Sequence, residues 1–205
     1  LFFTVNLPAQ NKNAVSIFQY GVIAGANYSH ATTESFGQKN TSEKTASFQG
    51  GIFTNILIGN GFYLQPLLEY AGKGGDKTKA TISGDVWIAY LELPIDILYH
   101  PNIGKMHRFF IGAGPYIAYG MAGQINGNAG NNYVYDLFKN NSMYNTPALF
   151  KRLDAGANLQ AGVRCSKHLQ LSISSDLGFV NILNYKNSGD YFHNTSLGAF
   201  IGYLF

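Results

Sequence analysis

Charge is scarce in this chain, and cysteine is scarcer. Only 12% of the 205 residues are Asp, Glu, Lys or Arg, about half the share of an ordinary soluble domain. The net charge of +3 is too small for the electrostatic grip that nucleic acid binding needs. The single cysteine, Cys165, excludes an intrachain disulfide framework, and no Cys/His spacing suits zinc. Long hydrophobic runs are also missing. The longest charge-free window, Phe109 to Tyr135, is broken by glycines and by Pro115 and decays into Asn-rich sequence, whereas a helical span needs ~20 predominantly apolar residues. "GAGPYIAYG" has no third glycine at the right offset and leads into proline and strand, so it is not a nucleotide fingerprint. A calcium loop of clustered carboxylates is absent too. No metal and no cofactor is expected.

What is present is glycine, with 24 residues, and aromatics, at 15% of the chain. Both recur in runs that alternate with period two and are bounded by turn residues, the signature of strands. Eight such runs cover roughly 17–29, 47–58, 62–73, 85–99, 108–121, 152–165, 168–180 and 194–205. At ~10–14 residues they exceed the usual globular strand of about 5–6 and suit a tilted membrane crossing of ~9–11. Their connections alternate. "GNG" at 59–61, "HPNIGKMH" at 100–107 and "SK" at 166–167 are short, while 30–46, 74–84, 122–151 and 181–193 are long and polar. That alternation describes an up-and-down meander.

Successive side chains on a strand point to opposite faces. One face of every run is apolar, as in Trp87, Ala89, Leu91, Leu93, Ile95, Ile97 and Tyr99, and it carries no charge in any of the eight. Its aromatics gather at the strand ends, as an interfacial girdle requires. The other face is mixed. It carries Glu69, Lys73, Glu92, Asp96, Arg108, Arg152, Asp154, Arg164 and Asp176 among Gln, Asn, Ser and Gly.

A soluble carrier barrel would turn the apolar face inward, and a membrane barrel would turn it outward. In the soluble case the exterior would be sparse in charge and large side chains would crowd a narrow interior. In the membrane case glycine leaves room inside for long Glu and Arg side chains, and five acids can meet four bases. Burying an ion without a partner is expensive, so mixed signs are what a sealed lumen needs. The sequence therefore predicts an all-β, eight-stranded antiparallel up-and-down transmembrane β-barrel over 17–205, closed because lipid cannot satisfy a free strand edge. Residues 1–16 form a separate N-terminal segment, whose apolar "LFFTVNLPAQ" is similar to the end of a signal peptide. Pro66, Pro94 and Pro115 lack ladder donors, so local bulges are expected there.

"YLELPIDILYH", "FFIGAGPYIAYGM", "RLDAGANLQAGVR" and the final "SLGAFIGYLF" together resemble the small outer-membrane β-barrel domains of the Bacteroidota, often called PorT-like. The resemblance runs from Ile17 to Phe205 and is most specific at "YLELP" and "GAGPY". It implies the bacterial outer membrane, with lipid and lipopolysaccharide as surroundings. Leu197, Ile201, Tyr203 and Phe205, in phase on the last run, are similar to the C-terminal signal read by the barrel-assembly machinery. Some members of the family are associated with secretion complexes, so the resemblance implies a structural or interaction subunit of an outer-membrane protein complex.

The rival class is a lipid-modifying outer-membrane enzyme, a hydrolase or acyltransferase, which needs His with Ser and a carboxylate near one rim. Ser29, His30 and Glu34 lie close in sequence, and His193 precedes Ser196, but neither spacing matches a hydrolase pattern. No catalytic residue is assigned. Glu92 and Asp96 read as lumen ion partners of Arg164, Arg152, Arg108 or Lys73 rather than as an acid and base pair. Eight strands leave a lumen just filled by side chains, which argues against a diffusion pore. The long connection 122–151 holds Tyr133, Tyr135, Phe138, Tyr144 and Phe150 among Asn and Gly. Aromatics on an adaptable backbone suit recognition, and a loop folded over its own barrel mouth is the other reading.

Overall fold

The computed structural model describes residues 17–35, 38–79, 83–101, 108–127, 133–140, 147–184 and 191–205. The N-terminal segment 1–16 lies outside them. The barrel staves are β1 (Phe18–Ser35), β3 (Thr45–Gly59), β4 (Phe62–Lys79), β5 (Ser83–Tyr99), β6 (Phe109–Gly127), β8 (Leu153–Arg164), β9 (Leu169–Gly178) and β10 (Tyr191–Leu204). Each pairs antiparallel with its neighbour in chain order, and β10 closes on β1 from Gly21↔Leu204 to Glu34↔Tyr191. Two short strands, β2 (Gln38–Thr41) and β7 (Tyr133–Asp136), fold back on β1 and β6. Several staves thus run on into what the sequence presents as loops. Hydrophobic alternation marks only the part of a strand that faces lipid. Above that level the ladder continues with polar side chains and leaves no periodic trace.

The apolar face is outside. Ile111, Ile117, Ile173 and Ile201 are all more than half exposed, whereas Glu69, Glu92, Asp96 and Asp176 are each 2% exposed or less. Outward aromatics gather near the short-turn end (Phe18, Tyr20, Phe62, Phe109, Tyr203) and again higher up (Tyr28, Phe48, Trp87, Tyr119, Phe179). Phe109 and Tyr119 lie ten positions apart on β6. At ~3.3 Å per residue and a tilt of ~40°, that separates the rows by about 25 Å, the height of an outer-membrane apolar band.

Inside, glycine makes space for rings. Phe53 stands directly across from Gly21, Phe110 from Gly162, Tyr116 from Gly156 and Leu98 from Gly112. In all four pairs a Cβ on the glycine would collide with the larger partner. The narrow lumen is therefore filled by large–small pairs across neighbouring strands. At the β3–β4 turn, Gly59, Asn60 and Gly61 all have positive φ, at 141°, 50° and 82°, which explains "GNG" there.

The expected bulges at the prolines are not present. Register is unbroken across Pro66, Pro94 and Pro115, and the irregularities fall at Leu57/Gly59, Gly75/Thr78 and Ala89/Tyr90 instead. What the prolines cause is missing pairing. The β3–β4 ladder skips from Phe53↔Leu67 to Ile56↔Leu64, β4–β5 from Pro66↔Ile95 to Glu69↔Glu92, and β5–β6 from Pro94↔Tyr116 to Ile97↔Ala113. Each gap holds one proline, which cannot donate to the preceding strand. The three gaps form one transverse band in the wall.

Candidate functional site

The candidate site is the lumen, which is layered. At its centre Lys73 on β4 is fully buried, and its Nζ lies 2.8 Å from Glu92 Oε1 and 2.9 Å from Asp176 Oδ2. The Tyr116 ring covers the ammonium at 4.7 Å. Asp176 is further held by Asn158 Nδ2 at 2.6 Å and by Ser196 Oγ at 2.7 Å. Glu69 stands across from Glu92 in the β4–β5 register and is hydrogen-bonded to Gln49. Asp154 accepts from Ala155 N–H at 2.8 Å and from Asn194 Nδ2 at 3.3 Å. Nearer the short-turn end, Gln160 Nε2 donates to Asp96 and, at 2.8 Å, to Gln65, whose own amide reaches Asn55 at 2.7 Å.

Of the nine charges assigned to this lumen, the structure brings together the five acids and Lys73, all buried. The arginines are elsewhere, which corrects the expectation that they neutralise the acids. Arg108 is exposed just before β6. Arg152 donates to the carbonyls of Gly120 (2.7 Å) and Met121 (3.3 Å) and stacks on Phe138. Arg164 donates to Gln19 Oε1 at 2.9 Å beside the Tyr63 ring. A guanidinium reaches water at a strand end more cheaply than it enters the barrel. Period two fixes the face of a residue but says little about its depth.

An apolar layer closes the long-loop end of the lumen, and a smaller apolar cluster lies on the other side of the ion centre. At the long-loop end Val86, Ile88, Tyr90, Ile125 and Phe192 meet Leu137, Phe138, Phe150 and Ile182, which come in from the connections. Phe138 and Phe150 are 8% and 2% exposed, so these two aromatics fold over their own barrel mouth instead of presenting themselves to a partner. Phe138 N–H donates to Asp136 Oδ1 at 3.0 Å, and Lys139 Nζ lies 3.0 Å from Asp136 Oδ2. Slight burial pushes the Asp136 carboxyl up, but Lys139 and the Phe138 N–H together hold it below the usual range. The side chains of Tyr133 and Tyr135, and the whole of Tyr144, lie outside the described residues. Below Lys73, Phe53, Leu67 and Leu204 form a second apolar cluster with the partly buried Ile23, and Asn55 and Gln65 lie on the short-turn side of Phe53 and Leu67.

The C-terminal residues Leu197, Ile201, Tyr203 and Phe205 all face outward and are exposed. Among the described side chains the candidate hydrolase groups do not converge, and the side chain of Glu34 lies outside them. Ser29 is buried in the lumen, hydrogen-bonded to the Gly74 backbone, while His30, next to it, faces the opposite way. Ser196 is buried on Asp176, and His193 lies on the other face of β10.

A family model described as outer membrane protein beta-barrel domain matches residues 8–184. The chain belongs to that family. Its place is the bacterial outer membrane, with the short turns on the periplasmic side. The barrel is similar to the crystal structure of Neisserial surface protein A, with a TM-score of 0.53 at 12% identity, covering 91% of this chain and 97% of that one. Matches to the attachment invasion locus protein Ail of Yersinia pestis (TM-score 0.46, 9% identity, 91% and 99% covered) and to OprG of Pseudomonas aeruginosa (0.44, 11%, 91% and 96%) are weaker. At these identities the likeness is one of fold. Comparison with curated protein sequences finds no match.

Proposed function

We propose that this barrel is a non-conducting structural or interaction subunit of the outer membrane, one component of a secretion or assembly complex. The observation that carries the reading is the sealed lumen. Lys73 is neutralised in place by Glu92 and Asp176, and apolar layers lie above and below it. A solute path would have to break buried ion pairs, each costing several kcal/mol. What remains for function is the outer face and the exposed loops. The resemblance to PorT-like barrels in "YLELP" and "GAGPY" supports the assignment to a complex. Lipid and lipopolysaccharide are the surroundings of the outer face, and the outward stripe Leu197, Ile201, Tyr203 and Phe205 is the part offered to the barrel-assembly machinery.

Two measurements test this. Reconstituted in planar bilayers, the protein is expected to give no conductance steps. Extracted in mild detergent from its native membrane, it is expected to migrate with companion proteins. A lone monomer with lipid hydrolase activity lost in His30→Ala or His193→Ala would replace this reading with the enzyme.

A further inference from the structure

The charges of the lumen do not balance. Glu69, Glu92, Asp96, Asp154 and Asp176 are buried, and among the described residues Lys73 is the one buried ammonium facing them. Arg152 and Arg164 spend their guanidiniums on carbonyls and on Gln19 at the rims. Glu69 is the least compensated acid. Its nearest cross-strand neighbour is another carboxylate, Glu92, and its Oε2 is buried without a hydrogen-bond partner. An unpaired carboxylate in a low-dielectric interior demands a counter-charge.

A small internal cavity of about 20 Å³ lies where that charge is missing. Glu69 lines it, together with Asn158, Gln160, Ser172 and Ser174 and the apolar side chains of Phe53 and Phe200. The volume suits one water-sized species. The amide groups are already oriented by their other bonds. Asn158 commits its nitrogen to Asp176, and Gln160 commits its nitrogen to Gln65 and Asp96. Gln160 therefore has only its carbonyl oxygen left to offer, while Asn158 offers its carbonyl oxygen and keeps one N–H. The donor set is one carboxylate with neutral amide and hydroxyl oxygens.

We propose that this cavity is a binding site for a single dehydrated monovalent metal cation of sodium or potassium size, held by Glu69 and the oxygens of Asn158 and Gln160. Hard cations take oxygen ligands. Among the described residues no group of three carboxylates or histidines converges as a divalent ion would require. The cation joins Lys73 in compensating the acids, and it locks β4 to β8 across the lumen. Because most of its lining is buried inside the barrel, the site fills as the barrel closes and exchanges slowly.

The test is to refold the full chain into detergent in sodium, potassium or choline chloride at equal ionic strength and pH, and to measure the temperature at which its gel mobility shifts. One metal cation is expected to raise that temperature by several degrees over choline, and Glu69→Gln to abolish the difference. Since Glu69→Gln could prevent folding, wild-type crystals grown after refolding in rubidium chloride provide a second readout. An anomalous peak against Glu69 is expected. Equal temperatures in all three salts with no such peak would overturn the proposal and leave a water in the cavity. A transition that follows pH but not cation identity would also overturn it, with a proton supplying the charge.

Discussion

Lys73 and Glu92 meet at 2.8 Å in the middle of the barrel with no solvent exposure on either side chain. One ammonium thus bridges β4 to β5, and through Asp176 to β9 on the opposite wall. Removing it leaves two carboxylates buried without a cation. Lys73→Met is expected to cost about 3–5 kcal/mol, and Glu92→Ala less, because Asp176 keeps its ammonium. Urea unfolding of the refolded barrel measures both, and Glu92→Ala should also lower the temperature of the gel-mobility shift. Equal, small effects would mean that the central ion cluster does not hold the walls together.

Leu98 and Gly112 stand opposite one another across β5 and β6, and a Cβ at 112 would overlap the leucine side chain. Gly112→Ala therefore overpacks the lumen and is expected to destabilise by about 1–3 kcal/mol. The cost should fall when Leu98→Ala is made in the same chain, giving a coupling of about 0.5–3 kcal/mol in a double-mutant cycle. Additive effects would show that the glycine is there for another reason.

These pairs also mark how far the sequence could be read. Strand number, inside and outside, and the acids of the lumen all follow from period-two alternation, since one face must be free of charge in lipid. The pairing of Phe110 with Gly162, or of Tyr116 with Gly156, does not, because alternation says nothing about register between strands. Depth is equally hidden. Arg152 and Lys73 share a face in the sequence, but one ends on carbonyls at the rim and the other at the centre. The capping residues Leu137, Phe150 and Ile182 come from polar connections in which a few apolar residues give no periodic signal.

Pro115 occupies one of the three gaps in the β3–β6 wall. Replacing it with alanine gives β6 a donor toward the Ile95 carbonyl without adding bulk. Pro115→Ala is expected to stabilise the barrel by about 0.5–1.5 kcal/mol, the usual net worth of one hydrogen bond, and to slow hydrogen exchange along the β5–β6 seam. A loss of stability would mean that the fixed φ of proline matters more to the wall than the missing bond.

His100, in the turn after β5, is 9% exposed, with its ring edge-on to Tyr63 at 4.8 Å and stacked on Phe110 at 5.3 Å. Burial, aided by the nearby Arg164 charge, pushes its pKa from 6.5 down to about 4. The neutral ring is therefore the one the folded barrel accepts, whereas the unfolded chain takes a proton near pH 6.5. Between those values the unfolded state binds more protons, so stability falls as pH drops from 6.5 toward 4 and levels below that, where both states are protonated. The full contribution is at most about 3 kcal/mol, reduced by solvent screening at the rim. Other buried acids titrate as well, so the quantity to measure is the wild-type unfolding free energy minus that of His100→Phe at each pH. That difference is expected to decline across the window and then flatten. A difference that stays constant from pH 7 to 4 would show that His100 protonates as freely in the barrel as in the unfolded chain.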